Sequence, residues 1–263
     1  MKFVQAKDGA RLAYEEAGAG PAIVFAHSLG GSRAVWGPLV DIFRSRYRCI
    51  AYDLRGQGDS ETTPGPYDMD LLAADALDLL DGLGIERCVF AGVSMGGMVA
   101  QHLALRAPQR LRALVLADTA AGFDAAGRAA WADRIVQIQR DGLAPLVDTM
   151  MARWFTPGFR AEHPAKVAGI AADFSRASVE GYIASCAAIR DHDLVQRLGE
   201  IVCPSLVLCG ELDPSTPLPL SQVLAAGLPT ATLEILPGLH HLPVFEAPGL
   251  VSGVIEDFLQ VHP

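Results

Sequence analysis

The chain has 263 residues, of which 51% are hydrophobic, and a formal net charge of −9. That length and apolar content suit one large α/β domain, or a domain carrying an insertion, with material for a sizeable core. The acidic balance argues against nucleic acid or an anionic membrane as a partner, although a small anionic substrate would answer to local charge.

The first residues, Met1-Lys2-Phe3-Val4-Gln5-Ala6-Lys7-Asp8, contain no apolar signal-peptide core, and no apolar run approaches the ~18 residues of a membrane span. A cytoplasmic protein is expected. The five cysteines (Cys49, Cys88, Cys186, Cys203 and Cys209) form no C-x-x-C pair and read as buried free thiols. No His/Cys cluster has metal-ligand spacing, so neither a metal nor a cofactor is expected.

In chain order, the first ~18 residues read as an antiparallel hairpin on a sheet edge, with Asp8-Gly9 at its turn. Apolar runs at Ala22–Phe25, Cys49–Tyr52, Cys88–Ala91, Ala113–Leu116 and Ser205–Leu208 have the character of buried parallel strands. Ala231–Leu236 is a further strand. Helical patterns lie between them at Leu71–Leu83, Met95–Ala107 and Gln222–Leu228, and a last helix runs from about Gly249 to Leu259. Such alternation implies a doubly wound, mostly parallel sheet with helices on both faces. The rhythm breaks after Asp118. From Ala120 to Leu198 there are helical patterns and no convincing strand, the candidates being Ala125–Arg140, Leu143–Trp154, Pro164–Phe174 and Ser178–Ile189. The expected organisation is a core of residues 1–121 and 199–263, with residues 122–198 inserted as a helical cap over the carboxyl edge of the sheet, where binding crevices lie.

The chemistry centres on Gly92-Val93-Ser94-Met95-Gly96-Gly97. This G-x-S-x-G motif has a strand-like run before it and a helix-like run directly after, the context of a nucleophile elbow. Ser94 is then the candidate nucleophile. A serine hydroxyl needs a base within hydrogen-bond reach, and the base needs an orienting acid. The candidate acid is Asp213, in the turn Cys209-Gly210-Glu211-Leu212-Asp213-Pro214 after one strand; Glu211 is expected to point to solvent or to the sheet edge, and Asp118 after the preceding strand is the alternative. Candidate bases are His240 and His241, after the strand ending Ile235-Leu236. Acyl transfer develops an oxyanion, which needs preorganised N–H donors. The backbone N–H of Met95, at a helix start, is one candidate. Leu29, in the glycine-rich loop His27-Ser28-Leu29-Gly30-Gly31, is the other. His27, His102, His163, His192 and His262 read as structural, and Asp53 and Arg55 as a structural ion pair and turn.

With these residues in place the chain resembles an α/β-hydrolase fold enzyme over essentially its whole length, and within that superfamily 3-oxoadipate enol-lactonase. The stretches that carry the likeness are Asp53–Arg87, Val93–Ala121, Arg153–Gly169 and, inside the cap, Glu180–Leu194. The cap matches matter most, because core motifs serve many unlike substrates. The resemblance implies that Ser94, His241 and Asp213 hydrolyse a small lactone or carboxylic ester without a cofactor. It selects His241 because in related enzymes the base stands five residues before a glutamate that opens the last helix, here Glu246. Two departures lean toward general esterases: His27, where asparagine is usual, and Leu242-Pro243-Val244 after the base. The same triad would serve a C–C bond hydrolase of ring-fission products, or a cofactor-free haloperoxidase or perhydrolase; a dehalogenase would carry aspartate in place of Ser94. A binding protein without turnover is the reading from a different class, and an intact triad argues against it. The resembled substrate carries a free carboxylate, so a cation should face the pocket. The cap offers Arg134, Arg153 and Arg190, with Trp131 or Trp154 as apolar wall.

Overall fold

The structure, a computed structural model, describes residues 1–262. Eight strands form a single sheet: β1 (Lys2–Gln5), β2 (Arg11–Ala17), β3 (Ala22–Ala26), β4 (Arg48–Tyr52), β5 (Cys88–Val93), β6 (Leu111–Ala117), β7 (Ser205–Gly210) and β8 (Ala231–Leu236). Their order is β1-β2-β4-β3-β5-β6-β7-β8. β1 and β2 pair antiparallel, as the Asp8-Gly9 turn leads one to expect, and β2 runs antiparallel to β4. From β4 to β8 every pairing is parallel.

The helices are α1 (Gly37–Phe43), α2 (Met69–Gly82), α3 (Met95–Arg106), α4 (Ala125–Asp141), α5 (Val147–Trp154), α6 (Pro157–Glu162), α7 (Pro164–Ser175), α8 (Val179–Asp191), α9 (Leu218–Gly227), α10 (Pro243–Glu246) and α11 (Pro248–Val261). All residues of β3 and of β5 are buried. Successive side chains of a strand face opposite sides, so burial of every one requires cover on both faces. α3 packs against β3 and β5 with α2 beside it, and α1 packs against the neighbouring β4 with α11 beside it. α9 begins four residues earlier than the sequence pattern suggests. Pro217 and Pro219 flank its first residue, where a missing N–H leaves no helical bond unmade. Between β6 and β7 lie α4 to α8, together with an isolated bridge between Gly122 and Asp193.

Asp53 and Arg55 are structural, but they do not pair with each other. Asp53 pairs with Arg33 and accepts the Asp59 N–H at 2.9 Å. Arg55, almost wholly buried, reaches Asp75 (Nε–Oδ2 2.8 Å) and Asp8 (Nη1–Oδ2 2.7 Å). Each is an ion pair bridging different elements, information that adjacency in sequence cannot carry. The five cysteines are free and buried.

His192 ends α8 and ties the helical segment to the core. Its Nε2–H donates to Ala120 O (3.0 Å), and its Nδ1 accepts from His102 Nε2–H (3.2 Å). Burial, then the repulsion of His102, pushes its pKa from 6.5 down to about 4. The unfolded chain therefore takes up a proton on this group near pH 6.5 that the folded chain refuses until about 4. Its contribution is intact above that window and erodes as pH falls through it, by up to about 1.4 kcal/mol per pH unit. Urea unfolding at pH 7 and pH 5 should show stability falling by about 2 kcal/mol on this account. His192→Gln should flatten that dependence; an unchanged slope would show that His192 is not the group responsible.

Candidate active site

The carboxyl ends of β3, β5, β6, β7 and β8 all open onto one edge, because these strands are parallel. Ser94 stands between β5 and α3 with φ 55 and ψ −117, a conformation that L-residues rarely adopt. It is held there from both sides. Its N–H donates to Ala117 O at 2.9 Å, and its carbonyl accepts from Thr119 Oγ1 at 2.7 Å. The glycines around it are a matter of space. A Cβ on Gly92 would sit 2.2 Å from the Gly96 backbone, and one on Gly96 would sit 2.2 Å from Ala26 O. Strand and helix approach this closely only because neither position has a side chain. The strain at Ser94 is thus over-determined by its surroundings, as at other functional turns.

Asp213 follows β7 and His241 follows β8. His241 Nδ1–H donates to Asp213 Oδ2 at 2.8 Å, with both groups buried. Thr216 Oγ1 donates to the same oxygen at 2.6 Å, and the Ser215 N–H donates to Oδ1 at 2.7 Å. Burial pushes the Asp213 carboxyl up, but the charge of His241 and the hydrogen bonds from His241, Thr216 and Ser215 outweigh it and bring it to about 2. Asp213 is therefore a carboxylate that accepts three donors. The competing candidates are placed otherwise. His240 Nδ1–H points to Ala152 O (3.3 Å), and Glu211 Oε2 accepts the Gly238 N–H (2.9 Å). Glu246 closes α10 rather than opening α11, and it accepts the Thr156 N–H and hydroxyl. Asp118, also with positive φ (46), lies fully buried beside Asp213.

Met95 is the first residue of α3, and Leu29 lies in the loop after β3. Among the described residues neither N–H donates to a protein acceptor. The loop is fixed around them. His27 O accepts the Gly96 N–H (3.1 Å), and Gly30 N–H donates to Gln57 Oε1 (3.0 Å). The His27 ring, fully buried, donates from Nδ1 to Ser28 O (2.7 Å) and accepts the Leu54 N–H at Nε2 (2.9 Å). Burial pulls its pKa down, so it is a neutral strut.

Ser94 and His241 both line a cavity of about 370 Å³, a size that suits a small molecule. Its walls include Leu29 from the core and Trp131, Arg134, Arg153, Trp154 and Tyr182 from the helical segment. Trp131 packs edge-on to Phe123, and Trp154 to Phe174. Arg134 Nη1 lies 3.4 Å from the Tyr182 hydroxyl. Arg153 donates to Ser215 Oγ (3.2 Å) and to Pro214 O (2.6 Å). Among the described residues neither guanidinium pairs with a carboxylate. Burial, then the facing charge of Arg134, pulls Arg153 down. Arg190 does not reach the cavity, contrary to expectation. Ile189 of α8 lines the cavity, and the next residue is turned about 100° around the helix. Arg190 accordingly sits at the surface, paired with Asp191 at 2.6 Å. Tyr182 carries no sequence signal of its own, whereas Thr216, three residues after Asp213, fits a local side-chain turn pattern.

A family model described as alpha/beta hydrolase fold matches residues 21–248. The chain is 38% identical to 3-oxoadipate enol-lactonase 2 of Acinetobacter baylyi over 236 residues, 90% of this chain and 87% of that one. The solved enol-lactonase of Burkholderia xenovorans superposes with a TM-score of 0.94 at 31% identity, covering 98% of this chain and 100% of that one. A thermophilic esterase from Thermogutta terrifontis, solved with malate bound, gives 0.92 at 28% identity, covering 100% and 99%.

Proposed function

Because the chain belongs to the alpha/beta hydrolase fold family, we propose that it is a serine hydrolase of small anionic lactones, of the 3-oxoadipate enol-lactone type. Ser94 Oγ attacks the lactone carbonyl and passes its proton to His241 Nε2. Asp213 holds the Nδ1–H of His241 and stabilises the imidazolium that forms. The oxyanion is received by the N–H groups of Met95 and Leu29. The ring oxygen leaves with the proton from His241 but stays tethered to the acyl group. Water, activated by His241, then releases the product from Ser94. Residues 122–198 act as the cap that closes over this chemistry. At the level of family, the reading agrees with two relatives named as enol-lactonases and with an esterase solved with a dicarboxylate.

One observation carries the anionic substrate. Arg134 and Arg153 face the same cavity without a carboxylate counter-ion, in a protein of net charge −9. Two guanidiniums left in such company are stabilised by an anion that binds between them, and the planar fork suits a carboxylate. Arg134 gives the cleaner test, because Arg153 also bonds the loop that carries Asp213. Arg134→Gln should raise KM for an anionic lactone by about tenfold or more, while KM for a neutral aryl ester moves little. Equal effects on both substrates would remove the charge argument and leave a hydrolase of neutral esters.

A further inference from the structure

The proposed reaction leaves one carboxyl of the site idle. Asp118 follows β6, fully buried, with its backbone in the left-handed region. Its N–H donates to Leu208 O at 2.8 Å, and its Oδ1 accepts the Gly210 N–H at 2.7 Å. Its Oδ2 is buried and receives no hydrogen bond. An oxygen of Asp118, an oxygen of Asp213 and a ring nitrogen of His241 all lie within 4.8 Å of one another. The titratable groups that face Asp118 are these two and the Cys209 thiol of β7.

Two carboxylates this close, shut away from water, do not both stay charged. The donors decide which one does. Asp213 receives the Ser215 N–H, the Thr216 hydroxyl and His241 Nδ1–H, whereas Asp118 receives the Gly210 N–H alone. The proton belongs on Asp118. There it turns an orphaned acceptor, Oδ2, into a donor, on a carboxyl that has an oxygen within 4.8 Å of an oxygen of Asp213. We infer that Asp118 is a positioning residue: as a neutral carboxyl it donates a hydrogen bond from Oδ2 to the Asp213 carboxylate and keeps that group aligned with His241 Nδ1. No proton leaves Asp118 during turnover. Burial, followed by the charge of Asp213, acts in the same direction and holds the Asp118 carboxyl well above the usual range. The role rests on the reading of Ser94, His241 and Asp213 as a triad, but the protonation does not.

The first test is therefore infrared spectroscopy without substrate, comparing the wild type with Asp118→Asn at neutral pH. Asparagine tolerates the left-handed backbone and keeps a donor on a neutral group. The wild type should show the carbonyl band of a protonated carboxyl that the variant lacks; no such band overturns the inference. In turnover, Asp118→Asn should lower kcat by less than about tenfold, with the acidic limb of kcat/KM in place. Asp118→Ala removes the donor and should lower kcat by about 10- to 100-fold through misplacement of Asp213. It should also move the acidic limb to higher pH, because Asp213 without its donor holds the imidazolium more tightly. Loss in Asp118→Asn as deep as in Asp213→Asn, or an unmoved limb in Asp118→Ala, would contradict the role. If Asp118→Ala does not fold, the infrared band and Asp118→Asn still decide.

Discussion

Ser94→Ala should lower kcat for lactone or ester hydrolysis by about 10⁴-fold or more. The hydroxyl is the attacking atom in the proposed reaction, and no water held in its place would be pinned by the elbow. The substitution should leave the fold intact. The Ser94 side chain makes no capping bond to α3, so its loss orphans no partner. The bonds that hold the turn, to Ala117 and Thr119, are made by the backbone of Ser94. An unfolding midpoint close to wild type, together with the kinetic loss, is the expected pair of results. Residual activity within tenfold of wild type would remove Ser94 from the nucleophile's role.

His241→Ala should be as damaging as Ser94→Ala, because nucleophile and base act as a unit and their losses do not add. Asp213→Asn should lower kcat by about 10⁴-fold by a different route: an amide donor facing Nδ1 favours the imidazole tautomer that cannot accept the serine proton. The neighbouring histidine gives the control. His240 turns its Nδ1–H to Ala152 O, so His240→Ala should change kcat by no more than a few-fold. A reversal of the two severities would mean that the base is His240.

The parts of this architecture that sequence conveys are those with a local cause. β3, β5, β6 and β7 are legible because strands buried on both faces must be apolar throughout. Ser94 is legible because its turn needs glycine at fixed offsets. Tertiary causes are not visible in this way. α1, absent from the helical patterns of the sequence, begins Gly37-Pro38 and is a helix that buries Leu39 and Phe43 where it packs on β4. Arg55 finds Asp75 and Asp8, neither of which adjacency suggests. Arg190, a cap cation by sequence, is turned from the cavity by its one-residue offset from Ile189. That Arg134 of α4 and Arg153 of α5 meet in one cavity is a product of tertiary packing, α4 against α8 and α5 against α7, and no motif encodes it.

Everything proposed for this site depends on Ser94 being a nucleophile activated by His241 and Asp213. Fluorophosphonate labelling followed by peptide mass spectrometry tests it most directly, because the reagent forms a stable bond only with an activated hydroxyl. One label per chain is expected on Ser94, slowed sharply in His241→Ala and absent from Ser94→Ala. Label on another residue, or labelling of Ser94 at the same rate without His241, would contradict it.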